Sequence, residues 1–577
     1  MPKNLVLFSD GTGNSAGKLF RTNVWRVYEA VDLTDPQDPL QPRQFAYYDD
    51  GVGTSSFKPL AVLGGAFGFG LARNVLDLYV FLCRMYEPGD RIYAFGFSRG
   101  AFTIRVLVGL VMTQGLLRYH GSESELQRLA RDAYRAYRAE RFKSLNPIVG
   151  LLRKLRDGWL NAWNGLWQRT TYSDAQRIGH PLASKPIEID FLGLWDTVDA
   201  YGLPVDELTR AIDLFIWPLT MRDNNLNRRV LCARHALAID DERSAFHPRL
   251  WNEQPDPADA SIGVPGGNLK TERIEDEHIS QVWFAGVHSN VGGGYPDDGL
   301  SYIPLGWIMR EADRKGLRFE KRTWEDQIAL SDENGPIYDS RRGLSGYYRY
   351  KPRRIEQITK TPKVTIGRTK VHESVLRRIQ AGHDGYAPIA LPPGFAVVRI
   401  KGQIVDGDEY IRDMQRTNGP AASQPARGPR ATDATPLVGV NSFYVGRREH
   451  VYKRVAQRRI AYFATLAVTL LLAALPWVTR GMSGCAQALC FLARPIEALG
   501  QLLPSFAQTW IDSFASHPAI VLVVLVAVII GLRRGGTLKQ QVGDEMRRVW
   551  YALPTLKPSG ATGVPAPKAA SAKKRGT

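Results

Sequence analysis

Four cysteines in 577 residues, none of them in a CxxC pair, exclude a disulfide-built scaffold and a thiolate metal centre. Cys83, Cys232, Cys485 and Cys490 read as ordinary apolar residues. The chain also lacks a signal-peptide core, since the first apolar run, Leu5 to Phe8, is far too short. Residues from the start onward are therefore expected to fold in the cytosol. Internal repeats are absent. No Walker lysine follows the glycine-rich "DGTGNSAG", and the glycines of "GGAFGFG" (Gly64 to Gly70) stand in the wrong order for a dinucleotide fingerprint. Acidic residues become scarce toward the end: residues 441–577 hold 18 Lys/Arg against 5 Asp/Glu, most of the net charge of +18. That charge brackets apolar runs and accompanies no nucleic-acid motif, so the expected partner is a membrane and not a nucleic acid.

What is present begins with "DRIYAFGFSRGAFTIRVLVGLV", Asp90 to Val111. A β-prone run enters Gly96-Phe97-Ser98-Arg99-Gly100 and an apolar helical run leaves it. In such a G-x-S-x-G elbow the serine takes a strained backbone conformation, and the flanking glycines avoid collision. Ser98 is the candidate nucleophile, exposed where a strand ends and a helix N-terminus can favour an oxyanion.

A serine needs a base, and of ten histidines His288 has the right setting. It ends the β-prone run Gln281 to Val287 and opens onto a glycine-rich loop expected to be flexible. The carboxylate should lie between the two in sequence. Asp196 closes the strand-like Ile187 to Trp195, with Asp190 inside that run and Asp199 a turn later. Asp240 and Asp241, in a stretch whose pattern looks helical, are the alternative acids. For the oxyanion, the donors expected are the N–H of Arg99 and those of Gly11 and Thr12 in the loop after the first strand. Asp10 in that loop is open to a second role, binding a cation or holding Arg99.

Taken in order, "FSDGTGN", "YYDDGVGT", "GGAFGFGLARN", "GFSRGAF", "GLWDTVDAYG", "HALAIDDERSAFHP" and "VWFAGVHSNVGGGY" resemble the DUF2235 family of α/β-hydrolases over Pro2 to Lys315. That family includes the catalytic domain of a class of type VI secretion phospholipase effectors. The resemblance implies an α/β-hydrolase fold and a serine esterase with Ser98, His288 and Asp196 in the three roles. It also implies phospholipid acyl esters as the substrate class. One departure is Asn290, where the motif usually carries an aspartate.

The expected architecture is α/β: an α/β-hydrolase-like, mostly parallel sheet over residues 1–315, interrupted by a helical insertion at about 120–171. In that insertion Leu152, Leu155, Trp159, Trp163 and Leu166/Trp167 line one helix face flanked by Arg153, Lys154, Arg156 and Arg169. Two readings stay open for the stripe, core packing or a lid at a bilayer surface. Residues 316–415 read as an accessory part without assigned activity. Residues 416–440, rich in Pro, Ala and Arg, read as a disordered linker, and 551–577 as a disordered basic tail.

Two uncharged runs, 460–478 and 514–532, are each long enough to span a hydrocarbon core and would form a transmembrane hairpin within 441–550. Basic segments flank the pair and few charges lie between, which puts the flanks in the cytoplasm. The expectation is an inner-membrane serine hydrolase whose catalytic domain and tail face the cytoplasm. It would act on phospholipid, lysophospholipid or another acyl ester, and would require no metal or organic cofactor. The alternatives are a lipase effector delivered to a target cell through a secretion-system partner, and a non-catalytic membrane scaffold that retains the fold.

Overall fold

The structure is a computed structural model that describes residues 2–11, 19–34, 38, 41–50, 70–119, 121–142, 147–166, 171–173, 175–179, 186–199, 223–253, 272–392, 394–418, 440–482 and 487–552. Thr12, the loop before Gly70, and the 416–440 and 551–577 stretches beyond these bounds lie outside the described residues. Two compact units emerge, Met1–Val440 and Asn441–Leu553.

The first unit is built on one large sheet. Its strands are β1 (Asn4–Ser9), β2 (Gln44–Asp49), β3 (Arg91–Phe97), β4 (Phe191–Trp195), β5 (Ala233–Ala238), β6 (Ile279–Phe284), β7 (Lys370–His372), β8 (Ala396–Val398) and β9 (Ile404–Asp406). They lie in the order β9-β8-β7-β6-β5-β4-β3-β1-β2, and every pair is parallel except the edge pair β8/β9. The α/β sheet read from the sequence is thus present.

Period-two alternation splits the strand residues between two cores. Leu5, Leu7, Ile92, Ala94, Leu192 and Leu194 face one side, where they meet α2 (Leu71–Met85), α3 (Arg99–Gln114) and α4 (Glu123–Arg141). Val6, Phe8, Tyr93, Phe95, Phe191 and Trp195 face the other, toward α1 (Asn23–Ala30) and α7 (Gly299–Arg314). Both faces being covered explains why these strands are apolar throughout.

Three expectations change. The stretch holding Asp240 and Asp241 is led by a strand, β5, because its small and apolar residues are buried on both faces of the sheet and pair with β4 and β6. The sheet also does not stop at residue 315. Val371 of β7 pairs with Trp283 of β6, and β8 and β9 follow outward, so residues 316–415 complete the same sheet. The insertion, finally, is two different helices. A short antiparallel ribbon, Leu116–Leu117 against Arg177–Ile178, closes its base. Helix α4 buries Leu126, Leu129, Ala133 and Tyr137 in the core. Helix α5 (Pro147–Leu166) instead turns Leu155, Trp159, Trp163 and Leu166 outward, each at least 43% exposed. Its described apolar residues are not core.

Among its described residues the second unit has two helices long and apolar enough to cross a membrane, within α8 (Val440–Val478) and α9 (Pro518–Trp550). The basic flank ahead of residue 460 is part of α8. The second span starts at Pro518 and not at Phe514, because proline suits the first turn of a helix and His517 breaks the preceding one. Gly531 lies against Thr465, and Trp510 donates to the Ala473 carbonyl at 2.7 Å, so the two spans pack as a hairpin. Cys490, between them, is disulfide-bonded, whereas Cys83 and Cys232 are free. An ordinary apolar role therefore fails for Cys490.

Candidate active site

The site gathers at the carboxyl ends of β3, β4, β5 and β6, which are neighbours in the sheet. Ser98 follows β3 directly with φ 60° and ψ −123°, a region that bulky L-residues avoid. The turn is tight enough that a Cβ at Gly96 would stand 2.7 Å from the Ala101 backbone. Ser98 N–H donates to the Trp195 carbonyl at 3.0 Å, tying the elbow to β4. One residue on, Asp196 also has positive φ, 40°. Two strained residues on adjacent strand ends point their side chains toward the same spot.

His288 comes from β6 and begins a short helix, α6 (His288–Gly292), instead of a flexible loop. Its ring is held between Phe97 and Phe246, with centroids 4.7 and 5.0 Å away. His288 Nε2 lies 2.8 Å from Ser98 Oγ, and Nδ1 lies 2.6 Å from Asp196 Oδ2. The three side chains are buried. With Asp196 accepting at Nδ1–H, the lone pair of Nε2 faces the Ser98 hydroxyl, the geometry in which an imidazole can take a serine proton. Asn290 is buried in α6. It accepts from Val287 N–H at 3.2 Å and donates to the Pro336 carbonyl at 3.0 Å. An aspartate could not make the second bond, which accounts for the amide at this position.

The rival acids serve other ends. Asp190 bonds Arg91 and the Ile92 amide, and Asp199 bonds Arg249. Asp240 accepts from Gly286 N–H at 2.7 Å and from the Tyr386 hydroxyl at 2.9 Å. Asp241 pairs with Arg243 at 2.7 Å and accepts the backbone N–H of His288 at 3.3 Å. Asp240 and Asp241 thus brace the backbone that leads into His288, not its ring. Burial pushes the Asp240 carboxyl up to about 6.

Around the expected oxyanion position, Arg99 is the first residue of α3, where N–H groups leave the helix end. Gly11 N–H donates to its neighbour Asp10 at 2.5 Å. Asp10 itself accepts from Thr22 and Tyr48, each at 2.6 Å. Thr12 lies outside the described residues.

One residue of this site was not singled out by sequence reasoning. Arg353, from the segment read as accessory, places Nη1 and Nη2 each 2.7 Å from Asp196 Oδ1 and Oδ2. Burial opposes ionisation of Asp196, but the Arg353 guanidinium and His288 outweigh it and hold the carboxyl well below its usual range. "YKPRR" carries no pattern that predicts this contact; its segment is brought here by pairing just beyond β5, where Tyr350 bridges Arg243 and Lys351 N–H donates to the Glu242 carbonyl at 2.8 Å.

Comparison with known proteins follows the same lines. Residues 3–311 match the family described as "T6SS, Phospholipase effector Tle1-like, catalytic domain". The uncharacterized protein YEL023C of Saccharomyces cerevisiae is 27% identical over 266 residues, 44% of this chain and 33% of the yeast protein. The chain thus spans about a third of that relative's length. An uncharacterized protein from Pseudomonas aeruginosa of solved structure is 19% identical, with 57% of this chain and 49% of that chain covered and a TM-score of 0.31. Since the family match takes in more than half of the 577 residues, including Ser98, Asp196 and His288, the chain belongs to the family of Tle1-like phospholipase effector catalytic domains.

Proposed function

We propose that this protein is a membrane-anchored serine hydrolase that cleaves acyl esters, with phospholipid or lysophospholipid as its substrate class. The observation that carries this reading is the unbroken line Ser98 Oγ, His288 Nε2/Nδ1, Asp196 Oδ2 at 2.8 and 2.6 Å, set on a strained elbow. Ser98 attacks the ester carbonyl while His288 takes its proton. Asp196 keeps the Nδ1–H tautomer and steadies the imidazolium. The N–H of Arg99, at the start of α3, stabilises the tetrahedral oxyanion. His288 then protonates the leaving alcohol, and water, deprotonated the same way, releases the fatty acid.

Lipid as substrate is favoured by the family and by apolar surface. The outward stripe of α5, with Arg156 on it, has the make-up of a helix that lies on a headgroup layer. The two apolar helices of the second unit would keep the enzyme at its substrate. The basic flanks favour a cytoplasmic location for both ends of the hairpin, in an inner membrane. The Cys490 disulfide supports the same orientation, since the connecting segment would then face an oxidising side. A second reading, an effector delivered by a secretion system into a target cell, is favoured by the family's description alone. A reporter at Thr577 separates the two orientations, as a periplasmic signal contradicts the resident one.

The test is fatty-acid release from mixed phospholipid vesicles by detergent-purified full-length protein beside Ser98→Ala. Release by the parent and its loss in the folded variant support the proposal. Absence of release from both removes phospholipid from the reading.

A further inference from the structure

In a serine–histidine–aspartate relay the carboxylate holds the imidazole and lends it negative charge. Here that charge is already matched. Arg353 and Asp196 are both fully buried, so solvent does not screen their bidentate pair. Asp196 Oδ1 also accepts the Ala238 N–H at 3.0 Å, and Oδ2 also faces His288 Nδ1. The guanidinium is fixed in turn by the carbonyls of Ala238 and Phe246. The carboxylate cannot rotate without breaking two charge-assisted bonds at once.

We propose that Arg353 is a positioning residue for Ser98 chemistry. Its planar fork locks the carboxylate of Asp196, and its charge offsets that carboxylate so that His288 remains a neutral base to lower pH than it would beside an unmatched aspartate. This rests on the serine-hydrolase reading above. The other charged groups facing His288 agree with it. Asp241, reaching the His288 amide from the end of β5, is paired with Arg243, whose guanidinium lies over the Phe246 ring. Asp240 is turned to Gly286 and Tyr386. His235, inside β5 behind Asp196, accepts Thr197 N–H at 3.1 Å, and burial pulls it down to about 3, so it stays neutral. Asp196 and Asp241 therefore each carry their own cation. Burial lowers the proton affinity of His288, and the two carboxylates do not restore it.

The experiment uses full-length protein in detergent and two readouts across pH: the rate at which a fluorophosphonate labels Ser98, and the ring titration of His288 in isotope-labelled protein. In Arg353→Met, both the acid limb of labelling and the ring titration move up by about one pH unit, and the rate falls. In Arg353→Lys, the charge stays but the fork is lost, so the acid limb remains near the parent's while the rate falls roughly tenfold. A role in folding alone would lower stability without moving either titration. Unchanged titrations in a folded Arg353→Met overturn the proposal. If that variant does not fold, Arg353→Lys decides, and a parent-like rate overturns it. A parent that never labels contradicts the serine-hydrolase reading instead, while the His288 titrations still judge Arg353.

Discussion

Gly100 lies against the backbone of Ser9 and Asp10, so closely that a Cβ there would run into both carbonyl oxygens. The start of α3 is thereby seated on the end of β1, and the elbow carrying Ser98 is fixed against the first loop. Gly100→Ala is expected to cost about 1–3 kcal/mol, as overpacking of a rigid site does. Thermal denaturation beside fluorophosphonate labelling checks this; an unshifted melting temperature would contradict the seating.

Replacing Asp196 should be more damaging here than in a relay whose aspartate faces only neutral groups. Asp196→Asn loses the imidazole tautomer, which lowers kcat by about 10⁴. It also strands the Arg353 charge in the interior, at about 3–5 kcal/mol. Chemical denaturation and turnover measured on one preparation distinguish the two effects, and a variant as stable as the parent would count against the ion pair.

Asp240 gives a pH-dependent expectation. Its folded value of about 6 lies above that of an unfolded aspartate, about 4. The folded protein therefore binds the extra proton more tightly, and ionised Asp240 disfavours folding above pH 6. That unfavourable contribution fades as pH falls through 6 and is gone below about 4. Asp240→Asn keeps an acceptor for Gly286 and Tyr386, so it is expected to raise stability at pH 8 by about 2 kcal/mol and to change little at pH 4. Denaturant midpoints at the two pH values are the measurement.

The outward face of α5 predicts a split between substrates. Serine at Leu155, Trp159 and Trp163 together removes exposed apolar surface, so stability should change by no more than about 0.5 kcal/mol per site. Hydrolysis of vesicle lipid should fall severalfold while hydrolysis of a short soluble ester holds. Equal losses on both substrates would place the stripe's role elsewhere.

Much of the site is legible in the sequence because its parts are local. The elbow is legible in five residues, and strand-end placement selected Asp196 over Asp190 and Asp199. His288 was found by chain order, but its rigidity was not, since that depends on Phe97 and Phe246 arriving from distant segments. The stretch leading to Asp240 and Asp241 suits a helix as well as a doubly covered strand, and only the neighbouring strands decide between them. Arg353 was invisible for a related reason. Its partner lies 157 positions away, and no local pattern encodes a contact of that range.

Strands β7, β8 and β9 come from residues 370–406, beyond the matched family region, yet β7 covers the flank of β6 that leads to His288. A chain emerging from the ribosome and stopped near residue 315 would leave β6 as an open edge, its N–H and C=O groups beside Trp283 ready to pair with any other extended segment. Truncation at the family boundary should therefore yield a sticky, self-associating product. During synthesis, the sheet around Ser98 and His288 would stay incomplete until nearly the whole first unit had left the exit tunnel.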